Sequence, residues 1–337
     1  MLVSVIMPVY NKASFICEAI ISILNQTYKN FELIIVDDGS SDRSAELVKK
    51  FNDSRIRLIQ LKENHGVSYA TNKALEAAKG SYILRMDADD ISYPKRLEKQ
   101  LDYAIRHQAD VVGCKFEVFS DAGDAPPGLI RYQNYSNSII NPEDIVSNFT
   151  VMPTVLQGTM LVKKKVLEQF PFDINYNTAE DYEQLGRVLK ARKRVLKIAE
   201  TLYKYRYIKR SLSNTHSKDG ILNGINIKLD FIYNYYKVAE KRDKCFFIWG
   251  TKEFAGYLEE ELRNEKYQAS VKGFIDFDSS LWGLTKNNLP IISPDEMIKT
   301  MKNDDIVITM WNIDRENIIN YLEEHGLRRN ISFFVLS

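Results

Sequence analysis

The sequence predicts an α/β fold, a doubly wound parallel sheet followed by a second, smaller α/β unit. Three observations predict it. Strand and helix signals alternate through the first hundred residues with short connections, the pattern of a parallel sheet. Two acidic clusters, Asp37-Asp38 and Asp87-Ala88-Asp89-Asp90, stand where apolar runs stop. Such sheets bind ligands at the carboxyl ends of their strands, so both clusters should line one crevice. Finally, the apolar pattern restarts near residue 244. A chain of 337 residues has room for about two domains and a sizeable core.

The elements follow in order. Val3 to Met7 is a β-rich run stopped by Pro8. Phe15, Ala19, Ile20, Ile23 and Leu24 recur at helical spacing. Phe31 to Val36 reads as a second strand, and Ser41 caps a helix carrying Ala45, Leu47, Val48 and Phe51. Ile56 to Leu61 is a third strand, Val67 to Ala78 a helix closed by Gly80, and Ser81 to Met86 a fourth strand. Residues 95 to 200 continue less regularly, and Asp121 to Gly128 reads as a loop. Residues 214 to 243 read as a helical linker with an aromatic face of Phe231, Tyr235 and Tyr236. The tail then offers strands at Phe246 to Trp249, Val271 to Ile275, Ile306 to Met310 and Ile331 to Leu336. Helices lie between them at Phe254 to Leu262 and Ile318 to His325. The domains expected are 1–213, the linker 214–243, and 244–337.

Composition removes several classes of function. With 45% hydrophobic and 27% charged residues the chain is not disordered. A net charge of +1 creates no global field for nucleic acid or membrane. Cys17, Cys114 and Cys245 are far apart and form no CxxC pair, which argues against a disulfide framework or zinc knuckle and fits a reducing cytoplasm. No apolar run reaches 18 residues, so no spanning helix is expected. The start, Met1-Leu-Val-Ser-Val-Ile-Met-Pro8, has no basic region and reads as a strand of the mature fold, not a cleavable signal.

The strand ends carry the chemistry. Asp87 and Asp89, two residues apart, can hold a divalent ion together with ligand oxygens, and hard oxygen donors suit Mg²⁺ or Mn²⁺. The plainer alternative is an acidic turn or a helix cap. At Asp37-Asp38 a carboxylate could accept from a base imide N–H, or simply cap the next helix. Glu180-Asp181 opens a helical stripe of Leu185, Val188 and Leu189. Asp181 there could act as a general base, or as a capping carboxylate favoured by the helix dipole. Asn64-His65-Gly66, with Ala70 and Asn72, forms a loop-to-helix turn whose glycine permits close approach to a phosphate or ribose.

Together these pieces resemble the family 2 glycosyltransferases, which share the GT-A nucleotide-sugar fold. The resemblance runs over about residues 1 to 215. It is carried by Val3-Ser-Val-Ile-Met-Pro-Val-Tyr-Asn11, Ser22-Ile-Leu-Asn-Gln-Thr-Tyr28, Glu32-Leu-Ile-Ile-Val-Asp-Asp-Gly-Ser-Ser-Asp42, Asn64-His-Gly-Val-Ser-Tyr-Ala-Thr-Asn72, Gly80-Ser-Tyr-Ile-Leu-Arg-Met-Asp-Ala-Asp-Asp90, Pro94-Lys-Arg-Leu97 and Ala179-Glu-Asp-Tyr-Glu183. It implies that Pro8, Val9 and Tyr10 bracket the base and that Asp38 reads the uracil edge. Asp87 would face the ribose, Asp89 would hold Mn²⁺ or Mg²⁺ on the diphosphate, and Asp181 would be the catalytic base. Asn64, Gly66, Asn72 and Glu180 complete the expected donor and acceptor contacts. The implied reaction is an inverting, metal-dependent transfer from a nucleotide-sugar donor, such as a UDP-sugar, to a glycan or lipid-linked acceptor. Surface polysaccharide synthesis is the implied role. No Gln/Arg-x-x-Arg-Trp follows Glu180-Asp181, so a non-processive enzyme is expected. Tyr205-Arg206-Tyr207-Ile208 keeps the family's Tyr-Arg but has Ile where His is common; His216 is the nearest substitute.

Two alternatives stand beside this reading. A sugar-phosphate nucleotidylyltransferase would want a Gly-rich N-terminal phosphate loop, which is missing. A binding module with lost catalysis is disfavoured by the intact Asp89 and Asp181. From Arg187 to Arg210 there are ten Lys/Arg and one acid, Glu200. With Lys163 to Lys165 they read equally as a docking patch for an anionic membrane surface, at the inner face of the plasma membrane, or as a solvated helix face. Nucleic acid is not an expected partner. In the tail, Gly250-Thr-Lys-Glu-Phe-Ala-Gly256 puts Lys252 where a dinucleotide loop needs its second glycine. The tail resembles small Rossmann-like accessory domains and suits a homo-oligomer. Trp249, Trp282 and Trp311 read as core or interface.

Overall fold

The computed structural model describes residues 1–176, 178–209, 218–240, 245–310 and 315–336. It divides into two units. Unit 1 is Met1–Val146 with Pro153–His216, and unit 2 is Ser147–Met152 with Ser217–Ser337.

Unit 1 begins β1 (Val3–Val9), α1 (Ile16–Leu24), β2 (Phe31–Asp37), α2 (Ser44–Lys49), β3 (Ile56–Gln60), α3 (Val67–Ala77) and β4 (Tyr82–Arg85). It continues β5 (Ile91–Ser92), α4 (Arg96–Arg106), β6 (Val111–Phe119), α5 (Pro127–Ser138), α6 (Pro142–Ser147), β7 (Leu161–Lys163), α7 (Lys164–Gln169), α8 (Glu180–Lys190) and β8 (Val195–Arg206). The eight strands form one sheet in the order β3-β2-β1-β4-β7-β6-β8-β5. As expected of parallel strands covered on both faces, β1 is apolar and buried along nearly its whole length. Val5 is paired with Leu33 on one side and Leu84 on the other. One turn after another, α1 lays Ile16, Ala19, Ile20 and Ile23 on that core.

The sheet is not wholly parallel. β7 runs antiparallel to both β4 and β6, and β5 runs antiparallel to β8. β4 and β5 stand four strand intervals apart in the sheet, about 19 Å if it were flat. Only Met86 to Asp90 joins them, and that run is not extended, since the Asp90 amide turns back onto the Asp87 carbonyl at 3.3 Å. The sheet therefore curls, and the acidic run 87–90 is strung across the mouth of the curl. Buried Arg96 on α4 fixes that run from behind. Its guanidinium donates to the carbonyls of Arg85 and Gly158, to Gln100 and to Ser92, and lies over the Tyr203 ring.

Unit 2 holds α9 (Lys218–Tyr235), β9 (Cys245–Trp249), α10 (Glu253–Arg263), β10 (Ser270–Ile275), β11 (Thr285–Lys286), β12 (Leu289–Ile292), α11 (Pro294–Thr300), β13 (Ile306–Met310), α12 (Arg315–Glu324) and β14 (Phe333–Leu336). Its sheet, β11-β12-β10-β9-β13-β14, is parallel apart from the β11–β12 hairpin. The expected linker is an integral part of this unit. Ile225, Leu229, Ile232 and Tyr233 of α9 share one core with Phe246, Ile248, Phe274 and Phe334; residues 214–217 and 241–243 lie outside the described chain. The segment 147–152 joins the same unit: Phe149 packs on Phe231 at 4.5 Å and Thr150 Oγ1 donates to the Val335 carbonyl. Trp249 is buried, Trp282 is half-exposed with its indole N–H on the Asp276 carbonyl, and Trp311 lies outside the described residues.

Candidate active site

The loops after β1 and β2 form one stitched unit. Asn11 takes a left-handed backbone (φ 52°), and its Oδ1 accepts from the Ser41 and Asp42 amides. Asp42 returns the bond to the Ala13 amide, and Ser44 Oγ accepts from the Lys12 amide. Asp38 is buried, and its two oxygens take the His65 and Gly66 amides at 3.0 and 2.8 Å. It thus clamps the turn into α3, where Gly66 (φ 92°) adopts a conformation that side chains disfavour. Neighbouring Asp37 is also buried, and its Oδ1 has no hydrogen-bond partner. Asn64 is exposed on the clamped turn, Pro8 is half-buried, and Tyr10 is 45% exposed beside it.

Two residues expected at the ligand have other engagements within the fold. Val9 is 2% exposed and its side chain belongs to the core, while its carbonyl already accepts from Asp38 N. Asn72 is spent on tertiary structure: its amide donates to the Phe172 carbonyl and accepts from the Phe172 N–H.

The acidic run after β4 is the centre of the site. Asp87 faces the Arg85 guanidinium at 3.3 Å, and Arg85 itself is buried beside Gln157. Across from Asp87 lies Gly158, where an added Cβ would come within 2.9 Å of Asp87 Oδ2 and 2.4 Å of the Tyr203 hydroxyl. That wall is bare by necessity. Asp89 Oδ2 lies 2.5 Å from Lys12 Nζ. Asp90 turns inward to accept from the Tyr203 hydroxyl at 2.6 Å and the Arg206 amide at 2.7 Å. Burial, then the charges of Asp89 and Asp87, raise its carboxyl well above the usual range. Arg206, sandwiched against Phe15 and Phe119, donates Nε to the Asp89 carbonyl and pairs with Asp121 and Glu18.

Glu180 and Asp181 open α8 behind Ala179, which is itself left-handed (φ 62°). The Asp181 carboxylate accepts from the Tyr182 amide at 2.7 Å. Burial raises its pKa, the negative charge of Asp87 adds to this, and Arg85 opposes it. Glu180 is pushed up to about 8, first by burial and then by Asp181. Asp87, Arg85, Glu180 and Asp181 therefore share one electrostatic environment, two residues from Asp89. Sequence reasoning missed Lys12, Arg85, Asp90, Gly158 and Tyr203. Asp90 had a visible signal, the third acid of its run, and Arg206 stands in the expected Tyr-Arg pair.

The oxygen donors of Asp87 and Asp89 fit a hard divalent cation, and the ammonium on Asp89 shows that this carboxylate already draws a positive partner. Among the described residues no group of three or more His, Cys, Asp or Glu is preassembled around a metal. A cation here would complete its shell with ligand oxygens.

The basic stretch 187–210 does not form one face. Arg187 pairs with Glu183, Lys204 with Glu117, and Arg206 is buried. Lys197 is buried too, donating to the Ser136 and Thr154 carbonyls, and burial brings its pKa down to about 8. Exposed Arg192 and Arg194 flank the amino end of β8, and β8 runs parallel to β6 and so to β4. They sit at the end of the sheet opposite the acidic run. Arg210 and His216 lie outside the described residues. Among the described residues no helix is long and apolar enough to cross a membrane.

Comparison with known proteins bears on the family and the fold. Residues 4–170 match the family described as Glycosyl transferase family 2. The chain is 44% identical over 125 residues to the putative glycosyltransferase EpsE of Bacillus subtilis, covering 36% of this chain and 45% of that protein. It is 33% identical over 251 residues to the uncharacterized glycosyltransferase MJ1057 of Methanocaldococcus jannaschii, covering 73% and 81%. It is 29% identical over 220 residues to the putative teichuronic acid biosynthesis glycosyltransferase TuaG of Bacillus subtilis, covering 64% and 83%. In fold it is similar to S. aureus TarS in complex with UDP-GlcNAc, with TM-score 0.57 and 19% identity over 96% of this chain and 80% of that one. It is also similar to the mannosyltransferase PcManGT from Pyrobaculum calidifontis in complex with GDP-Man and Mn²⁺, with TM-score 0.50 and 20% identity over 77% and 69%.

Proposed function

The chain belongs to glycosyl transferase family 2 and is a glycosyltransferase, and from that premise we propose that it moves a sugar from a UDP-sugar to a hydroxyl of a glycan or lipid-linked acceptor. The transfer inverts the anomeric centre and is non-processive, and it serves surface polysaccharide synthesis. The observation that carries the reading is the shared electrostatic environment of Asp181, Glu180, Arg85 and Asp87, next to Asp89. The names of TuaG and TarS's UDP-GlcNAc support the polymer and the donor class, and PcManGT's Mn²⁺ supports a divalent ion.

At the donor end, Tyr10 offers an exposed ring for the base, and Asp38 holds the His65 and Gly66 amides in the turn beside it. At the acceptor end, Asp181 takes the hydroxyl proton as the new bond forms, and its raised pKa makes it a stronger base than an ordinary carboxylate. Arg85 balances Asp87 so that the two carboxylates coexist. When bound on Asp89, beside Asp87, a divalent cation supplies Lewis-acid stabilisation of the charge left on the diphosphate. Gly158 keeps the space against Asp87 open.

The test is release of UDP from a panel of UDP-sugars, with acceptor glycans, with and without Mn²⁺. Asp181→Asn should lower turnover by about 10²–10⁴-fold while UDP binding holds. Mn²⁺-dependent UDP binding with no turnover on any donor would instead make the chain a nucleotide-binding module.

A further inference from the structure

Lys12 takes no part in the steps above, yet it occupies the centre of the site. Its ammonium bridges the loop after β1 to the loop after β4, 77 residues on, with Nζ 2.5 Å from Asp89 Oδ2. Neither side chain is freely solvated, at 27% and 16% exposed. Among the described residues no other cation pairs with the Asp89 carboxylate; Arg206 reaches only its carbonyl. The Lys12 backbone cannot drift, because its amide donates to Ser44 Oγ and the amides on either side, of Asn11 and Ala13, donate to Ser40 and Asp42. Only the side chain is free to move, through four rotatable bonds ending in a compact charge.

An ammonium at hydrogen-bond distance and a divalent cation cannot both hold one carboxylate oxygen, since their mutual repulsion would act at contact range. We propose that Lys12 is a built-in counter-ion that occupies the cation position on Asp89 until the donor arrives, then moves to the diphosphate and leaves Asp89 to the metal. The inference rests on the proposed reading of Asp89 as the cation's ligand. It makes donor and metal binding mutually supportive. A diphosphate that draws Lys12 away exposes Asp89, and by linkage a cation that displaces Lys12 presents it to the diphosphate. A donor-free enzyme then keeps a neutralised acidic loop and holds free metal poorly.

Binding of Mn²⁺ to the whole chain, followed by loss of the free-ion electron paramagnetic resonance signal, tests this without any turnover. Without nucleotide, Lys12→Met should bind Mn²⁺ about ten-fold more tightly than the wild type, and UDP should improve its affinity less. Lys12→Arg, which keeps the charge, should behave as the wild type without UDP, and Asp89→Asn should lose the site in every background. Lys12→Gln repeats the measurement should the methionine variant lose its fold. Equal Mn²⁺ affinity in wild type and Lys12→Met, with the Asp89 dependence intact, overturns the counter-ion role and leaves the metal reading standing. No Mn²⁺ binding in any variant, even with UDP, overturns both.

Discussion

Glu180 and Asp181 show how burial sets the behaviour of single residues. In the unfolded chain Glu180 ionises near its ordinary 4.5, while in the native cleft it keeps its proton to about 8. Between those values the folded protein holds a proton that the unfolded chain has lost, so this group's contribution to stability is full below about pH 4.5 and is lost as pH rises to about 8. Glu180→Gln should remove that slope: urea melts at pH 5 and pH 8.5 should show the variant gaining on the wild type at the higher pH. A parallel loss in both proteins would mean that Glu180 ionises normally. Asp181, raised in the same direction, should place the acid limb of kcat/KM above the ordinary carboxylate range, and the limb should vanish with the residual activity of Asp181→Asn. The acids of this cleft were legible in the sequence because Asp87, Asp89, Glu180 and Asp181 stand where strands end and a helix begins. Their basic and neutral partners were not. Arg85 stands two residues before Asp87 in the same run, but Lys12 and Gly158 reach the site from distant segments, and nothing in their local spacing announces the meeting.

The same limit operates for whole elements. Strands β1 to β4 and helices α1 and α3 follow from periodicity and stop signals, since each is defined by its own residues and its neighbours in the chain. The antiparallel β7, the two-residue β5 and the β11–β12 hairpin are defined by what they pair with, and short segments carry too few residues for a period to show. Helix α11 was readable in principle: Ser293 Oγ accepts from the Glu296 amide, a cap visible as Ser-Pro-Asp-Glu. β8 matters most for function, because Tyr203 and Arg206 at its end hold Asp90 and thereby the Asp87–Asp89 run. Since Asp90's pKa is raised well above the usual range, the neutral amide of Asp90→Asn should replace it with little loss of stability. Tyr203→Phe removes the hydroxyl and leaves a fully buried oxygen without its partner, which should cost about 1–3 kcal/mol. Denaturant midpoints of the two variants check the ordering, and a larger loss for Asp90→Asn would show that the native carboxyl is charged.

At the scale of the molecule, chain order and folding units do not coincide. Ser147–Met152 leaves unit 1 in sequence and belongs to unit 2 in space, before the chain returns at Pro153. The reason is visible in its contacts. Phe149 and Val151 are fully buried, Phe149 against Phe231, while Asn148 accepts from Arg329 and the Ser147 carbonyl accepts from Asn330. Six residues cannot bury Phe149 and Val151 alone, so the segment depends on residues far along the chain, from Phe231 to Asn330. A boundary drawn by sequence at about residue 213 would therefore cut through one core. A chain ending at residue 216 should leave Phe149 and Val151 in water, and should aggregate or melt earlier than the first transition of the full chain. In the full chain, Phe149→Ala should lower the unfolding transition of unit 2 by about 3–5 kcal/mol, the cost of a large cavity in a packed aromatic cluster. Asp181-dependent turnover measured on the same variant separates the units further. Retained activity with a destabilised second transition would show that the segment serves unit 2 alone, while an unchanged second transition would show that Phe149 is not part of that core.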